Sequence, residues 1–179
     1  PYVRGLRLNP RKPLADPAAL IEGLGEPVPW QLRTGRYLSQ ESTAGAQPLH
    51  EAGAYYIQEP SAMAAVAVLS PRPGERVLDL GCGWGPVGVT LAQKYLECEI
   101  VMTDVNHRAV ELSRRNLARN GAKAEVVQGD GFENVTGMFD FILTNPPIRA
   151  GKAVIYRLFA EAKEHLTDDG ALILVIRKQ

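Results

Sequence analysis

The pattern of apolar and polar residues predicts two differently built parts in this chain. From about residue 77 onward, short apolar runs alternate with segments in which apolar residues recur every three or four positions. This alternation predicts parallel strands joined by helices, because a parallel strand covered on both faces is apolar throughout. Residues 1–47 are richer in Pro and Gly and have shorter apolar runs. We therefore predict a domain at residues 48–179 and a small α+β appendage at residues 1–47.

Five segments of the chain predict the strands of an α/β sheet. They are residues 77–80, 99–105, 124–128, 139–144 and 171–177, and the predicted helices are residues 62–69, 86–95, 107–120 and 152–166. In the appendage, residues 17–24 predict a helix, and residues 28–32 and 35–38 predict strands. Asn106 and Gly121 are the expected ends of helix 107–120. On that helix we expect Val110, Leu112 and Leu117 to be buried and the arginines to be solvated.

Composition narrows the class of protein. The 179 residues are 45% hydrophobic and 22% charged, which suits one globular domain with a small appendage. No apolar run approaches the length of a membrane span, and no signal peptide opens the chain. Two cysteines and three scattered histidines predict neither a disulfide framework nor a metal site, so we expect a cytoplasmic protein without metal. The net charge of zero gives no general indication of nucleic-acid binding.

The sequence VLDLGCGWGP at residues 77–86 predicts a strand, a glycine loop and the start of a helix. This corner binds nucleotides in doubly wound α/β sheets. Residues 83–88 match G-x-G-x-x-G, but the match is weak by itself, and the upstream Asp79 would repel a pyrophosphate. S-adenosylmethionine instead carries a cationic sulfonium and ammonium, which an acid would attract. The DLGCGWG string resembles motif I of the class I methyltransferases, which implies this cofactor.

Two further acids lie near the end of a predicted strand or just after one. Asp104 is placed to accept hydrogen bonds from ribose hydroxyls, with Val105 beside it. Asp130 could accept the adenine amino group, with Phe132 packing against the ring. The alternatives are an ordinary loop carboxylate and a turn. The predicted cofactor-binding residues are Asp79, Gly81, Cys82, Gly83, Gly85, Asp104, Val105, Asp130, Gly131 and Asn145.

The sequence Asn145-Pro146-Pro147 follows the fourth predicted strand and is the candidate catalytic segment. Two prolines fix successive φ angles and donate no backbone hydrogen bonds. The segment therefore offers the Asn145 side-chain oxygen and a backbone carbonyl as rigid acceptors for the two hydrogens of a planar NH2 group. Holding both hydrogens turns the nitrogen lone pair toward a methyl donor. The alternative is a turn that ends the strand.

Residues 77–179 resemble the small-domain methyltransferases typified by ribosomal RNA guanine 2-amino methyltransferases. The resemblance is carried by NPPIRAGK at 145–152, by Gly129-Asp130 and by residues 133–135. It implies a mainly parallel Rossmann-like sheet of order 3-2-1-4-5, and the usual C-terminal hairpin is missing from this chain. It also implies methylation of an exocyclic amino group of an RNA base, with guanine in ribosomal RNA as the expected target. Ile148, a predicted substrate contact, replaces the Tyr or Phe found in many Asn-Pro-Pro enzymes.

Residues 1–80 resemble the N-terminal part of the Sun-type RNA cytosine-5 methyltransferases. The resemblance is carried by GLRLN at 5–9, PVPW at 27–30, YYIQEPSAM at 55–63 and PGERVLDL at 73–80. That family needs a cysteine nucleophile in an acid-x-Pro-Cys segment, and neither Cys82 nor Cys98 lies in one. Cytosine-5 methylation is therefore disfavoured. Arg4 and Arg7 are predicted substrate contacts in an arm with Arg11 and Lys12 that would follow an RNA backbone, although a solvated arm is the alternative.

Several readings of the whole chain stay open from the sequence. The Asn-Pro-Pro segment also resembles the protein glutamine methyltransferases that modify release factors, and a non-catalytic S-adenosylmethionine-binding module is a further alternative. The change of resemblance at Leu80–Gly81 is consistent with a truncation, a natural short form, or a recombined or engineered chain. The last apolar strand is an expected exposed edge through which two copies could pair.

Overall fold

The computed structural model describes residues 3–146 and 151–175 of the chain, which forms two compact units. The first unit is Pro1–Val68 and the second is Leu69–Gln179. The division therefore falls later than the one predicted after residue 47. The reason is that residues 55–57 form a strand that pairs with the first strand of the N-terminal sheet, so the chain does not leave this unit before that strand is complete.

The N-terminal unit contains a four-stranded antiparallel sheet of order β2-β3-β1-β4. Its core joins Leu6 of the inner strand β1 to Ile21, Leu38 and Tyr55, all of which are buried. The strands are β1 (Arg4–Leu8), β2 (Leu24–Pro27), β3 (Gly35–Leu38) and β4 (Tyr55–Ile57), and the helices are α1 (Pro17–Leu20), α2 (Pro48–Glu51) and α3 (Pro60–Leu69).

Two predictions for this unit are wrong in detail. The predicted helix at 17–24 ends at Leu20, because Ile21 is extended and Gly23 has a φ of +70°. Residues 28–32 are not a strand, since Pro29–Gln31 form a 3₁₀ turn that begins with proline. Proline has no N–H for a strand ladder, whereas its fixed φ suits the first position of a helical turn.

The C-terminal unit contains a five-stranded parallel sheet of order β7-β6-β5-β8-β9. This confirms the predicted Rossmann-like α/β sheet and its order 3-2-1-4-5. The strands are β5 (Arg76–Leu80), β6 (Glu99–Asp104), β7 (Glu125–Gln128), β8 (Phe139–Thr144) and β9 (Leu166–Leu174), and the helices are α4 (Pro86–Lys94), α5 (His107–Asn120) and α6 (Lys152–Glu164). Leu78, Phe139, Ile142 and Leu158 lie in its main core.

Helix α5 has the predicted ends but a different buried face. The Asn106 side chain accepts a hydrogen bond from the backbone N–H of Arg108, and Gly121 ends the helix with a φ of +60°. Val110 and Leu117 are buried as expected, but Leu112 is 39% exposed and Ser113 is fully buried instead. A polar residue can occupy the buried face because its hydroxyl has a hydrogen-bond partner there.

Strand β9 begins earlier than predicted. It starts at Leu166, where the sequence predicts the last residue of a helix, and it passes through Gly170 with a register shift against β8. A Cβ atom on Gly170 would lie 2.9 Å from the carbonyl oxygen of Phe139, so only glycine allows this close approach. Residues 176 and 177 of the predicted strand lie outside the described residues.

The described helices are shorter than a membrane span requires. Within residues 3–146 and 151–175, no helix is both long and apolar enough to cross a bilayer. The longest, α5, has 14 residues, whereas a span needs about 20.

Candidate functional site

The predicted site residues of the C-terminal unit lie at the carboxyl ends of parallel strands. Leu80 of β5 is in register with Thr103 of β6 and with Thr144 of β8, so these three strands end at the same level. Strand β7 reaches the same level, because Gln128 is in register with Asp104. Asp79 and Asp104 lie in the last two residues of β5 and β6, and the loops that follow the strands carry the glycines, Asp130 and Asn145. Ligands bind at this edge in open α/β sheets.

The glycine loop at residues 81–85 has a backbone that only glycine adopts readily. The φ angles of Gly81, Gly83 and Gly85 are +74°, +58° and +89°. The backbone N–H groups of Gly81 and Cys82 both donate to the carbonyl oxygen of Thr103, which ties the loop to β6. Among the residues that the structure describes, a Cβ atom on Gly81 or Gly83 would meet nothing within 4 Å, whereas one on Gly85 would lie 2.8 Å from Met102. The first two glycines therefore face open space that a ligand can occupy.

Asp79 is a buried carboxylate beneath this loop. It is 5% exposed, and its Oδ2 accepts a hydrogen bond of 2.7 Å from the backbone N–H of Gly88 in the first turn of α4. Burial raises the pKa of Asp79 to about 7, the Gly88 hydrogen bond opposes this, and the charge of Asp104 adds to it. Negative charge is favourable at a helix N-terminus. A cation bound nearby would favour the ionised form further.

Asp104 uses both carboxylate oxygens to shape its surroundings. Oδ2 accepts a 2.8 Å hydrogen bond from the backbone N–H of Gly83, and Oδ1 accepts one of the same length from Asn106. The adjoining Val105 is 64% exposed. Asp104, the last residue of β6, therefore holds the glycine loop, and its remaining lone pairs can still accept hydrogen bonds from hydroxyl groups.

Asp130 lies in the turn after β7 and has a different environment. Both of its oxygens are 2.9 Å from Nη2 of Arg157 on α6, and both side chains are about half exposed. Gly131 follows with a φ of +64°. The ring of Phe132 is buried and stacks on His165 with 4.7 Å between ring centroids. Phe132 is therefore part of the core and is not available for the adenine contact that the sequence suggested.

Asn145 is the first residue after β8 and is exposed, while Pro146 is buried. The carbonyl oxygen of Thr144, immediately before it, accepts a 2.9 Å hydrogen bond from Val175, so the strand end is held in the sheet. The amide side chain thus projects from a fixed strand end at the edge that carries the glycine loop. Pro147 and Ile148, predicted as catalytic and substrate-binding residues, lie outside the described residues.

The two cysteines are poor nucleophiles in this structure. Cys82 is 4% exposed, and burial together with the charges of Asp79 and Asp104 raises its pKa to about 12. Cys98 immediately precedes β6, at the opposite edge of the sheet from Asn145, and burial also raises its pKa. A thiolate is the reactive form of cysteine. These environments agree with the sequence-based argument against a covalent cysteine mechanism.

Two residues of α5 hold the glycine loop and were missed from the sequence. The hydroxyl of Ser113 donates to the carbonyl oxygen of Gly83, and the Asn116 side-chain amide donates to that of Trp84, each at 2.8 Å. The available signal was their spacing of three residues, which places polar side chains on one face of the helix. That face could be recognised as buried only from its contact with the loop.

The basic residues of the predicted N-terminal arm lie on β1 of the folded sheet and in the turn that follows it. Arg4 donates from Nη1 to the carbonyl oxygens of Gln40 and Ser42, each at 2.7 Å, so it braces the loop after β3. Burial lowers the pKa of Arg7 on the same strand. Lys12 donates to the carbonyl oxygen of Ala52. The structure therefore gives Arg4 and Lys12 internal partners, and their role as RNA contacts stays a prediction.

Two family models together cover the chain. The model of the methyltransferase small domain matches residues 59–179, and the model of the N-terminal domain of the 16S rRNA methyltransferase RsmF matches residues 1–60. These matches confirm that the two ends of the chain resemble different methyltransferases. They also confirm the resemblance to the small-domain methyltransferases.

Proteins of Bacillus subtilis and Pasteurella multocida are similar to part of this chain. The chain is 48% identical over 106 residues to YbxB of Bacillus subtilis, covering 58% of this chain and 53% of that protein. It is 43% identical over 104 residues to ribosomal RNA small subunit methyltransferase C of Pasteurella multocida, covering 56% of this chain and 32% of that protein. The aligned parts therefore span about half and about a third of these relatives.

Two solved structures are similar to this chain, and the second contains a cofactor. A methyltransferase homologue from Pyrococcus horikoshii has a TM-score of 0.65 at 27% identity, covering 96% of this chain and 63% of that one. The 16S rRNA N2 G1207 methyltransferase RsmC of Thermus thermophilus, in complex with AdoMet and guanosine, has a TM-score of 0.57 at 26% identity, covering 79% and 46%. With the family model matching residues 59–179, this chain belongs to the methyltransferase small domain family.

Proposed function

We propose that this protein transfers a methyl group from S-adenosylmethionine to an exocyclic amino nitrogen of an RNA base, with guanine in ribosomal RNA as the target. The observation that carries the proposal is the exposed Asn145 at the same sheet edge as an open glycine loop with a buried carboxylate beneath it. Family membership supports methyl transfer, and the names of the relatives support ribosomal RNA as the substrate.

The residues at this edge fit S-adenosylmethionine. Open space beside Gly81 and Gly83 would admit the methionine part close to the backbone. The buried Asp79 suits a cationic ligand, because a cation would offset the cost of ionising the carboxylate there. Asp104 would accept the ribose hydroxyls, with the exposed Val105 beside the base. Asp130 is the proposed partner of the adenine amino group, which would compete with Arg157 for its oxygens.

When bound, S-adenosylmethionine supplies the methyl group, and the Asn-Pro-Pro segment supplies orientation. Asn145 Oδ1 and a backbone carbonyl of the segment would accept the two hydrogens of the substrate NH2 group. The nitrogen lone pair would then face the methyl group that bound S-adenosylmethionine would donate. S-adenosylhomocysteine would be the leaving group, and water at this exposed edge would take up the proton of the nitrogen. Orientation alone can remove several kcal/mol from the barrier of such an in-line reaction.

Two other substrates use related chemistry. A protein glutamine side chain offers the same planar NH2 group, so the Asn145 geometry does not distinguish it from guanine. Cytosine C5 needs a thiolate nucleophile, which the raised pKa of Cys82 disfavours. The names of the relatives favour RNA over protein. A base within a duplex would have to be flipped out to reach Asn145.

Methyl transfer from radiolabelled S-adenosylmethionine tests the proposal. Purified small ribosomal subunits, their extracted RNA and a release factor serve as three acceptors for the wild type. We expect label in RNA, on the exocyclic nitrogen of guanine after digestion to nucleosides. Asn145→Ala should lower kcat by about 10²–10³, by analogy with the loss of one oriented transition-state hydrogen bond. Cofactor affinity measured by calorimetry should change little.

The matched control replaces both Cys82 and Cys98 with Ala, and this variant should retain most of its activity. A folded double-cysteine variant that binds cofactor but is inactive would overturn amino-group methylation. Label in the release factor alone would instead establish a protein substrate. Absence of transfer to all three acceptors, with normal cofactor binding, would favour a binding module.

A further inference from the structure

A groove on the N-terminal unit exposes an aromatic ring beside an arginine. Pro10, Pro29, Trp30, Leu32, Arg33 and Thr34 line it, and it encloses about 420 Å³. Trp30 is 41% exposed and Leu32 is 64% exposed, whereas other large apolar residues of this unit, such as Leu6 and Ile21, are buried. Exposed aromatic and aliphatic groups that share a concave surface indicate a binding site.

Hydrogen bonds hold the rim of this groove in place. The indole Nε1–H of Trp30 donates to the carbonyl oxygen of Pro60 at 2.8 Å. The backbone of Val28 donates to Gly35, and that of Leu8 donates to Thr34. Because the only polar atom of the indole already has a partner, the ring can offer a ligand its flat face and no hydrogen bond.

The charges around the groove favour an anionic ligand. Arg33 is exposed, and its guanidinium has no hydrogen bond or ion pair among the residues that the structure describes. The neighbouring Arg36 differs, because it donates to the carbonyl oxygens of Leu32 and Gly35 and so braces the turn. None of the described residues lining the groove is acidic. The exposed ring of Trp30 and the guanidinium of Arg33 therefore line the same groove.

We infer that this groove binds a single-stranded segment of RNA, with an unpaired base stacked on Trp30 and a phosphate on Arg33. Stacking on aromatic rings combined with cationic contacts to the backbone is the general mode of single-strand binding. A paired base keeps its faces covered by its neighbours, so a duplex cannot use the indole face. This inference rests on the proposed RNA substrate, and it assigns substrate binding to Trp30 and Arg33 instead of Arg4.

Fluorescence anisotropy of a labelled 12-nucleotide single-stranded RNA, titrated with the full chain without cofactor, tests the groove. Trp30→Leu keeps an apolar side chain but removes the π face, and we expect about tenfold weaker binding. Arg33→Ala should weaken binding and make its salt dependence shallower, because one phosphate contact is lost. The matched control is Arg115→Ala, which removes an exposed charge of the other unit and should leave the affinity unchanged.

A second measurement keeps the result independent of folding. RNA should quench tryptophan fluorescence of the wild type, and Trp30→Phe should lose this quenching while a phenyl ring preserves part of the affinity. Equal affinity of wild type and Trp30→Leu, equal binding of a matched RNA duplex, or quenching by a proline-rich decapeptide and not by RNA would each overturn the inference.

This test does not depend on methyl transfer. Loss of RNA binding in Trp30→Leu, with no transfer by the wild type to any acceptor, would support the groove and contradict the proposed function. Unchanged RNA binding in Trp30→Leu, together with loss of methyl transfer in Asn145→Ala, would contradict RNA binding by the groove and support the proposed function.

Discussion

Asp79 and Asp130 are the same residue type at the same edge of one sheet, but their burial and their hydrogen-bond partners differ. Asp79 is buried, hydrogen-bonded to a backbone N–H, and has a pKa of about 7. Asp130 is about half exposed and paired with a side-chain cation, Arg157. The comparison shows that the position of an acid along a strand is not enough to give its chemistry. Burial and the type of partner decide whether its charge is costly.

The physical reason is the cost of removing a charge from water. At Asp79 a single backbone N–H among the described residues offsets that cost, so the proton is retained to a higher pH than the ordinary pKa of the carboxyl group would give. Asp130 differs because it stays in contact with water and lies 2.9 Å from the guanidinium of Arg157. Asp104 differs from both in its contacts, since it is partly exposed and accepts hydrogen bonds from two backbone N–H groups.

The largest expected effect concerns Asp79 and pH. The pKa of Asp79 is about 7 in the folded protein, above the ordinary value of 3.8, so the folded state binds the proton of Asp79 more tightly than the unfolded chain does. The stabilisation that results is fully present below pH 3.8 and is lost as pH rises through 7. Asp79→Asn cannot ionise. The free energy of unfolding of Asp79→Asn minus that of the wild type should therefore increase by about 2–4 kcal/mol from acid to alkaline pH. Urea denaturation across this range measures it, and a difference that does not depend on pH would contradict it.

A smaller effect is expected at Asp104. Asp104→Ala removes the proposed acceptor of the ribose hydroxyls and the partner of the Gly83 N–H group, so the glycine loop also loses a constraint. Affinity for S-adenosylhomocysteine should fall by about 1–3 kcal/mol. Calorimetry measures it, with Asp168→Ala as the control because that acid is exposed on β9. Equal affinity of Asp104→Ala and wild type would remove Asp104 from the site.

The smallest effect is expected at Arg157. Arg157→Gln breaks the exposed ion pair with Asp130 but leaves no buried charge behind, because water can solvate the carboxylate. The urea midpoint should be the same as in the wild type at both low and high salt. A clear loss of stability that disappears at high salt would show that the Asp130 pair is structurally important. The surroundings of Asp130 would then affect the stability of the protein, as those of Asp79 do.

Much of the C-terminal unit could be predicted from the sequence because the relevant signals are local. Apolar runs located the strands, Asn106 and Gly121 located the ends of α5, and the glycines located the loop that needs positive φ angles. The order of the strands followed from the resemblance. The N-terminal unit was harder, because its strands are three to five residues long and pair with distant partners, as β1 does with β4.

Of the candidate site, the sequence by itself determined which residues lie at the strand ends or directly after them. Parallel strands bring those positions to one edge, so Asp79, Asp104 and Asn145 could be named without coordinates. Only the tertiary structure decided how each side chain is used. Asn116 reaches Trp84 across 32 positions of sequence, and Arg4 reaches Ser42 across 38. Solvation, pKa and hydrogen-bond partners depend on such distant neighbours, which periodicity and local propensity do not encode.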